Sequence, residues 1–374
     1  MAGTEVNGKR IHVLHVLLNL DPGGLENGVV NVVNGLDKQE FHSSVCCLQH
    51  KGVFAQRIQG DTIVFEMGHT KGNNFLLPLR LAARMRTLRP DIVHTRNPES
   101  FFYGFVAAKL AGVTAIVHSE HGRNFPDSNL RHRVQGIFSK HTDCIFALTG
   151  NLRDSLIKHV GIAPEKIDVI YNGVDLKKFQ SYECSTIRQQ IGAGNRLVVG
   201  SVGRLVSIKN YKLLIEAMHL LRNRFDLMLV LIGDGPERAN LEAQAKGQGL
   251  AKHIVFLGHQ NDVHKLIGGM DIFVLPSINE GMSNTLIEAL AARIPCVASS
   301  VGGNPEIIRQ NRDGLLFESN DATGLANCIA MLCESPELRS RLAESGRERT
   351  ISQFSLETMI DNYQRLYRRA LHGR

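Results

Sequence analysis

The sequence predicts an α/β chain with two doubly wound parallel sheets. Three observations carry that expectation. Short apolar segments alternate with helical patterns, as parallel strands joined by crossover helices do. The alternation breaks over the polar, weakly patterned stretch 176–195 and then restarts. The 374 residues suit two domains, and a hydrophobic content of 43% supplies material for two cores.

In the first half, 11–18 is apolar enough for a central parallel strand. Further strands are expected at 44–48, 62–65, 92–94, 115–118, 144–148 and 166–170, and helices at 29–36, 76–88, 101–110, 130–139 and 152–160. Beyond the break, strands at 197–202, 227–232, 253–257, 271–275, 295–298 and 314–317 alternate with helices at 211–222, 237–248, 262–268 and 285–293. This sets one domain at 1–178 and another at 179–355, followed by a basic amphipathic helix at 356–371. Ligands of such sheets bind beyond the carboxyl ends of the strands, so the chemistry is sought in the loops that follow them.

Bulk properties narrow the function. The formal net charge is +7, with most of the excess in the N-terminal half. Such a balance favours anionic partners: phosphates, an anionic membrane surface or nucleic acid. Arg80, Arg84, Arg86, Arg89, Arg131 and Arg133 form basic helical patches, read either as solvated faces or as a membrane-facing surface. With no Trp and 6% aromatic residues, a nucleic-acid partner is not expected. Seven cysteines without a C-x-x-C pair suggest free thiols in a reducing, cytoplasmic compartment. Lys9 and Arg10 before an apolar run resemble the start of a signal peptide. His12, His15 and Asn19 interrupt that run and no small-residue cleavage site follows, so a buried strand is expected.

The most informative stretch is 276–290, which reads as polar loop and helix after a buried strand. Free N–H groups and the positive dipole end at the helix start suit a phosphate. Gly281, Met282, Ser283 and Asn284 form the turn, with Glu280 before it and Glu288 about one helical turn inside. One carboxylate could reach a sugar beside the phosphate, the other a ribose hydroxyl. Read alone, Glu280 is equally a solvated loop residue and Glu288 a surface helix residue. The second element is Gly203-Arg204 after a strand, with Lys209 at the next helix start. A planar fork of donors and a compact charge together suit a diphosphate. A lysine at that end opposes the helix dipole, which argues against a purely structural placement.

Gly23-Gly24 after the first strand permits close backbone approach to a ligand, or is a plain tight turn. His121 ends a strand before Gly122 and reads as a polar contact in the binding cleft, with a satisfied structural histidine as the alternative. No H-E-x-x-H and no Asp-x-Asp occurs, so no metal site is expected.

Jointly these residues resemble the family 4 glycosyltransferases. The resemblance is carried by Gly23-Gly24-Leu25-Glu26, His121-Gly122, Tyr171-Asn-Gly-Val-Asp175, Gly203-Arg204 with Lys209-Asn210, and Gly233-x-Gly-Pro236. Pro276-Ser277, Glu280 with seven residues between it and Glu288, and Gly302-Gly303-Asn-Pro-Glu306 complete it. Within the family the chain is most similar to sugar transferases of bacterial exopolysaccharide clusters, including the exosortase-associated group.

The resemblance implies the GT-B fold of two facing Rossmann-like domains, with the C-terminal helix 356–374 crossing back onto the first. It implies sugar transfer from a UDP- or GDP-linked donor to a lipid-linked or saccharide acceptor, with retention of configuration and no bound cofactor or metal. Arg204 and Lys209 would hold the diphosphate, Glu280 the donor sugar, Glu288 the ribose, and the 281–284 amides the phosphate and sugar. Gly24 would approach the diphosphate, and His121 would sit near sugar and acceptor. Peripheral attachment to the inner face of the cell membrane fits such an acceptor. Arg293 stands where a small Gly is common in the family, and Met282-Ser283 replaces an aromatic or Leu followed by Gly. A nucleotide-sugar-binding protein without turnover is the alternative. A nicotinamide-dependent oxidoreductase is disfavoured by the incomplete glycine fingerprint and the second, restarting sheet.

Overall fold

The computed structural model describes residues 10–70, 72–122, 128–179 and 184–373. Lys9, residues 180–183 of the polar stretch and Arg374 lie outside them. The chain forms two units, Met1–Asn172 with Glu357–Arg374, and Gly173–Leu356.

The first unit carries seven parallel strands: β1 (Ile11–Leu17), β2 (Phe41–Cys47), β3 (Ile63–Glu66), β4 (Ile92–Arg96), β5 (Ala115–Glu120), β6 (Cys144–Ala147) and β7 (Ile167–Val169). Their order is β3-β2-β1-β4-β5-β6-β7. Strand β1 is central: Leu14 faces Ser44 on one side and Val93 on the other. The apolar run that follows Arg10 is thus a sheet strand. His12 bonds Ser44 Oγ through Nε2 at 2.8 Å, and its backbone N–H donates to Asp91.

The second unit carries β8 (Leu197–Val202), β9 (Leu227–Ile232), β10 (Ile254–Gly258), β11 (Ile272–Leu275), β12 (Cys296–Ser299) and β13 (Leu315–Phe317), in the order β10-β9-β8-β11-β12-β13. Every residue of β9 is buried, which is why its sequence reads Leu-Met-Leu-Val-Leu-Ile without alternation. In each sheet the chain builds outward in one direction and then restarts on the other side of its first strand. The resulting crevices lie between β1 and β4 and between β8 and β11, where doubly wound sheets bind ligands.

Several boundaries differ from expectation. The first helix spans Gly24–Gly35, beginning at the glycine pair itself. Helix Asn97–Ala111 starts directly after β4, because Pro98 is tolerated in a first turn whose N–H groups have no intrahelical partner. Helices Ala322–Glu334 and Pro336–Gln353 lie outside the expected alternation. Asp321 and Ser335 cap them, accepting from the backbone N–H of Gly324 and Leu338.

The last helix, Leu356–His372, packs on the first unit's sheet. Met359, Ile360, Tyr363, Leu366, Tyr367 and Ala370 form its buried face, and Arg368 and Arg369 pair with Glu40 and Asp168. Cys46, Cys47, Cys144, Cys296, Cys328 and Cys333 are free thiols. Among the described residues no helix is long and apolar enough to cross a membrane.

Candidate active site

The crevice between β8 and β11 gathers most of the expected residues. Gly203 and Arg204 follow β8, and a short 3-10 turn, Ser207–Lys209, leads into helix Tyr211–Leu221. Pro276 to Ser283 follow β11, and helix Asn284–Ala291 follows them. Lys209 Nζ and Glu280 Oε1 form an ion pair, with side chains 22% and 11% exposed. The pair joins positions that are 71 residues apart in sequence.

Local structure explains why Glu280 is held there. Ser277 is fully buried and its Oγ donates to Glu280 Oε1 at 2.8 Å. Ser277's carbonyl accepts from Ser299 Oγ at 2.6 Å, which ties the loop to the end of β12. Ile278 N–H donates to the Ile208 carbonyl at 2.8 Å, coupling the Glu280 loop to the Lys209 turn. Gly302 completes the seat. Its φ is 53°, and a Cβ there would lie 1.7 Å from the Glu280 carbonyl oxygen, so only glycine allows this approach.

Arg204 is exposed at the carboxyl end of β8 and makes no ion pair among the described residues. Ser283 caps the helix, its Oγ accepting from Leu286 N–H at 3.3 Å. Met282 and Ser283 are buried beside that helix start, and Gly281 is exposed. Glu288 is partly buried one turn further on. Burial pushes its carboxyl up to about 7, and Lys178 opposes the shift. Such a group changes charge near neutral pH.

The remaining expected residues belong to the first unit. Gly23 caps helix Gly24–Gly35 from an extended backbone. Glu26 folds back over it: a Cβ on Gly23 would lie 2.1 Å from Glu26 Oε2. A carboxylate therefore sits against the glycine pair, and burial raises its pKa. His121 follows β5. Its backbone N–H donates to Asn97 Oδ1 at 2.9 Å, and its Nε2 bonds Ser119 Oγ at 2.8 Å. Burial, then the Arg96 charge, hold its pKa well below the usual histidine range, so the ring is neutral.

Sequence reasoning assigns no role of their own to two residues that matter locally, Ser277 and Arg96. Ser277 orients Glu280, and the spacing Ser-x-x-Glu directly after a strand is the signal for it. Arg96, 2% exposed, ends β4 beside the first sheet's crevice. A cation at the carboxyl end of a strand, followed by Asn-Pro, marks that position.

Two family models match: one described as Glycosyltransferase Family 4 over residues 22–178, the other as Glycosyl transferases group 1 over residues 185–349. A lipopolysaccharide core biosynthesis glycosyltransferase of Rhizobium meliloti, LpsD, is 33% identical over 97% of this chain and 99% of its own. The UDP-Gal:alpha-D-GlcNAc-diphosphoundecaprenol alpha-1,3-galactosyltransferase of Escherichia coli is 31% identical over 74% of this chain and 75% of its own. Among solved structures, Anabaena HepE in complex with UDP superposes with a TM-score of 0.85 at 22% identity, covering 96% of this chain and 100% of HepE. That likeness concerns the fold, two parallel α/β sheet units of the GT-B type.

Proposed function

The chain belongs to the family 4 glycosyltransferases, and on that premise we propose that it transfers a sugar from a UDP- or GDP-linked donor to a lipid-linked or saccharide acceptor, with retention of configuration. Its place among enzymes of polysaccharide assembly comes from its relatives. The finer reading rests chiefly on the Lys209–Glu280 pair at the second sheet's crevice. Sugar transfer builds positive charge at the anomeric carbon and negative charge on the departing diphosphate. A cation beside a carboxylate at one point answers both charges. Lys209 and Arg204 stabilise the leaving group as its charge grows, which lowers the barrier more than it strengthens ground-state binding. Glu280, oriented by Ser277, holds the sugar at the reacting carbon. Glu288 takes the ribose, the 281–284 backbone the phosphate and sugar, and Gly203 leaves room for the diphosphate. In the first unit, Gly24 and His121 are assigned to diphosphate and sugar or acceptor.

The donor type and acceptor are supported by the Escherichia coli relative, whose name specifies UDP-Gal and a diphosphoundecaprenol-linked sugar, and by the UDP held in HepE. Two cations aimed at the diphosphate supply the charge that a metal otherwise brings, so turnover is expected to persist in EDTA. The deciding experiment is nucleotide release from a panel of UDP-, GDP- and ADP-sugars, with and without lipid-linked and saccharide acceptors and EDTA. Tight nucleotide binding with no release under any condition would overturn the transfer reading. Loss of turnover on chelation, restored by Mg²⁺ or Mn²⁺, would overturn the metal-free part alone.

Peripheral attachment to an anionic membrane belongs to the same proposal. Helix Leu77–Leu88 exposes Arg80, Arg84 and Arg86, with Arg89 following, and contains no acidic residue. Phe75, Leu76 and Leu79 at its start are 86%, 67% and 56% exposed. Apolar tips ringed by arginines suit a bilayer surface. Vesicle co-sedimentation should rise with anionic lipid and fall with salt. Equal partitioning onto neutral and anionic vesicles would sink this part.

A further inference from the structure

A chain of buried hydrogen bonds runs from the C-terminal helix to His121. Tyr367 OH bonds His94 Nδ1 at 2.7 Å, and His94 Nε2 bonds Ser119 Oγ at 3.0 Å. Ser119 Oγ bonds His121 Nε2 at 2.8 Å. Tyr367, His94 and Ser119 are fully buried. Each link can in principle point either way, since a phenol, a neutral imidazole and a hydroxyl all both donate and accept. The chain has two consistent directions, and they leave His121 as opposite tautomers.

Arg96 decides between them. Its guanidinium is buried and has no hydrogen-bond partner of good geometry among the described residues. It lies beside the Tyr363 and Tyr367 hydroxyls, drawing both toward ionisation against the larger effect of burial. A buried cation turns the negative end of a neighbouring O–H dipole toward itself, and the interaction is strong because little water screens it. The Tyr367 oxygen therefore faces Arg96 and its proton points to His94 Nδ1. His94 then carries its proton on Nε2 and donates to Ser119. Ser119 donates to His121 Nε2, and His121 carries its proton on Nδ1. The opposite direction would turn the Tyr367 proton toward the guanidinium.

We propose that Arg96, Tyr367, His94 and Ser119 act as a one-way relay that holds His121 as the Nδ1–H tautomer, making it a hydrogen-bond donor to a sugar or acceptor oxygen with no free lone pair to serve as a base. The proposal rests on the reading that His121 meets substrate. Its Nε2 lone pair is occupied by Ser119. Its Nδ1 is buried without a hydrogen-bond partner among the described residues, which leaves that N–H for a ligand oxygen. Tyr367, His94 and Ser119 are positioning residues: they act through His121. The C-terminal helix thereby sets the protonation geometry of a residue 246 positions earlier in the chain, by way of a tyrosine that no strand-loop motif contains.

The test uses the full-length protein with ¹⁵N-labelled histidine, in which long-range proton–nitrogen correlations distinguish the two neutral tautomers. The expected result is Nε2–H for His94 and Nδ1–H for His121. Tyr367→Phe keeps the ring and removes the hydroxyl. It should leave His121 a mixture of tautomers and lower kcat/KM roughly tenfold, the order expected for one hydrogen bond. Ser119→Ala should release the tautomer in the same way, and Ser119→Thr, which restores a hydroxyl, should hold it. An Nε2–H tautomer in the wild-type protein, or a tautomer unchanged in Tyr367→Phe, overturns the relay. The wild-type spectrum needs no variant to fold and no substrate. A failed relay with intact sugar transfer is thus distinguished from a failed transferase reading, in which no donor is turned over.

Discussion

The two sheets bring charge to their crevices in opposite ways. Beside the second sheet's crevice a cation and a carboxylate meet, both partly exposed, and Arg204 stands in solvent next to them. Beside the first, Arg96 is buried among neutral groups: His15, His94 and His121, each held well below the usual histidine range by burial first and Arg96 second. Exposed charge can be handed to a ligand, because water and a counter-ion replace it when the ligand leaves. Buried charge has no such exchange. It acts on what surrounds it, setting protonation states and turning dipoles. The second crevice is thus suited to a substrate whose charge changes during reaction, and the first to fixed hydrogen-bond geometry.

The comparison breaks most visibly through the exposed cations. Lys209→Ala and Arg204→Ala should each lower kcat on the order of 10²–10³, by analogy with the loss of a single oxyanion-hole donor. Glu280→Gln should lower kcat more than it raises donor KM, and Ser277→Ala should do the same more weakly. Thermal melts confirm folding and a donor titration separates the constants. If both cation variants keep near wild-type kcat, the second crevice does not hold the diphosphate.

Glu288 gives a smaller effect with a pH signature. Glu288→Ala should raise donor KM roughly ten- to hundredfold with kcat little changed, since a ribose contact is present in ground and transition states alike. Burial raises its pKa from 4.5 to about 7, so across that range the folded protein holds a proton that the unfolded chain releases. Stability therefore falls as pH rises through this window. Glu288→Gln removes the decline, and its melting temperature should gain a few degrees on wild type between pH 4.5 and 8. Donor KM in the wild type should improve over the same rise if the ionised carboxylate accepts from the ribose. Parallel melting curves at all pH values would show that Glu288 does not titrate there.

The smallest effect sharpens the first crevice. Arg96→Met should raise the pKa of His94 and His121, yet leave both below the usual histidine range, because burial is the larger cause. An NMR titration of the ring nitrogens measures it. Unchanged values would mean that Arg96 does not act on the histidines.

Much of this was readable from the chain because the signals are local. A strand such as Leu227–Ile232, buried on both faces, must be apolar throughout, and a loop that follows a strand must carry the polar chemistry of its crevice. Glu280, Lys209 and Arg204 are visible in that way, in the segments that follow β11 and β8, and Glu288 in the helix that comes after the Glu280 loop. Helices Ala322–Glu334 and Pro336–Gln353 escaped because their caps, Asp321 and Ser335, sit in a stretch without strand punctuation. The crevice partners escaped for a different reason. Ser277 shares Glu280 with Lys209 only once β8 and β11 lie side by side, and Tyr367 reaches His94 across 273 residues through helix packing. Periodicity and turn chemistry specify which segments form strands and helices, since those preferences act over a few residues. Whether Arg96 is buried, which way its neighbours' protons point, and which carboxylate meets which cation are set by packing between distant segments, and no local pattern encodes that.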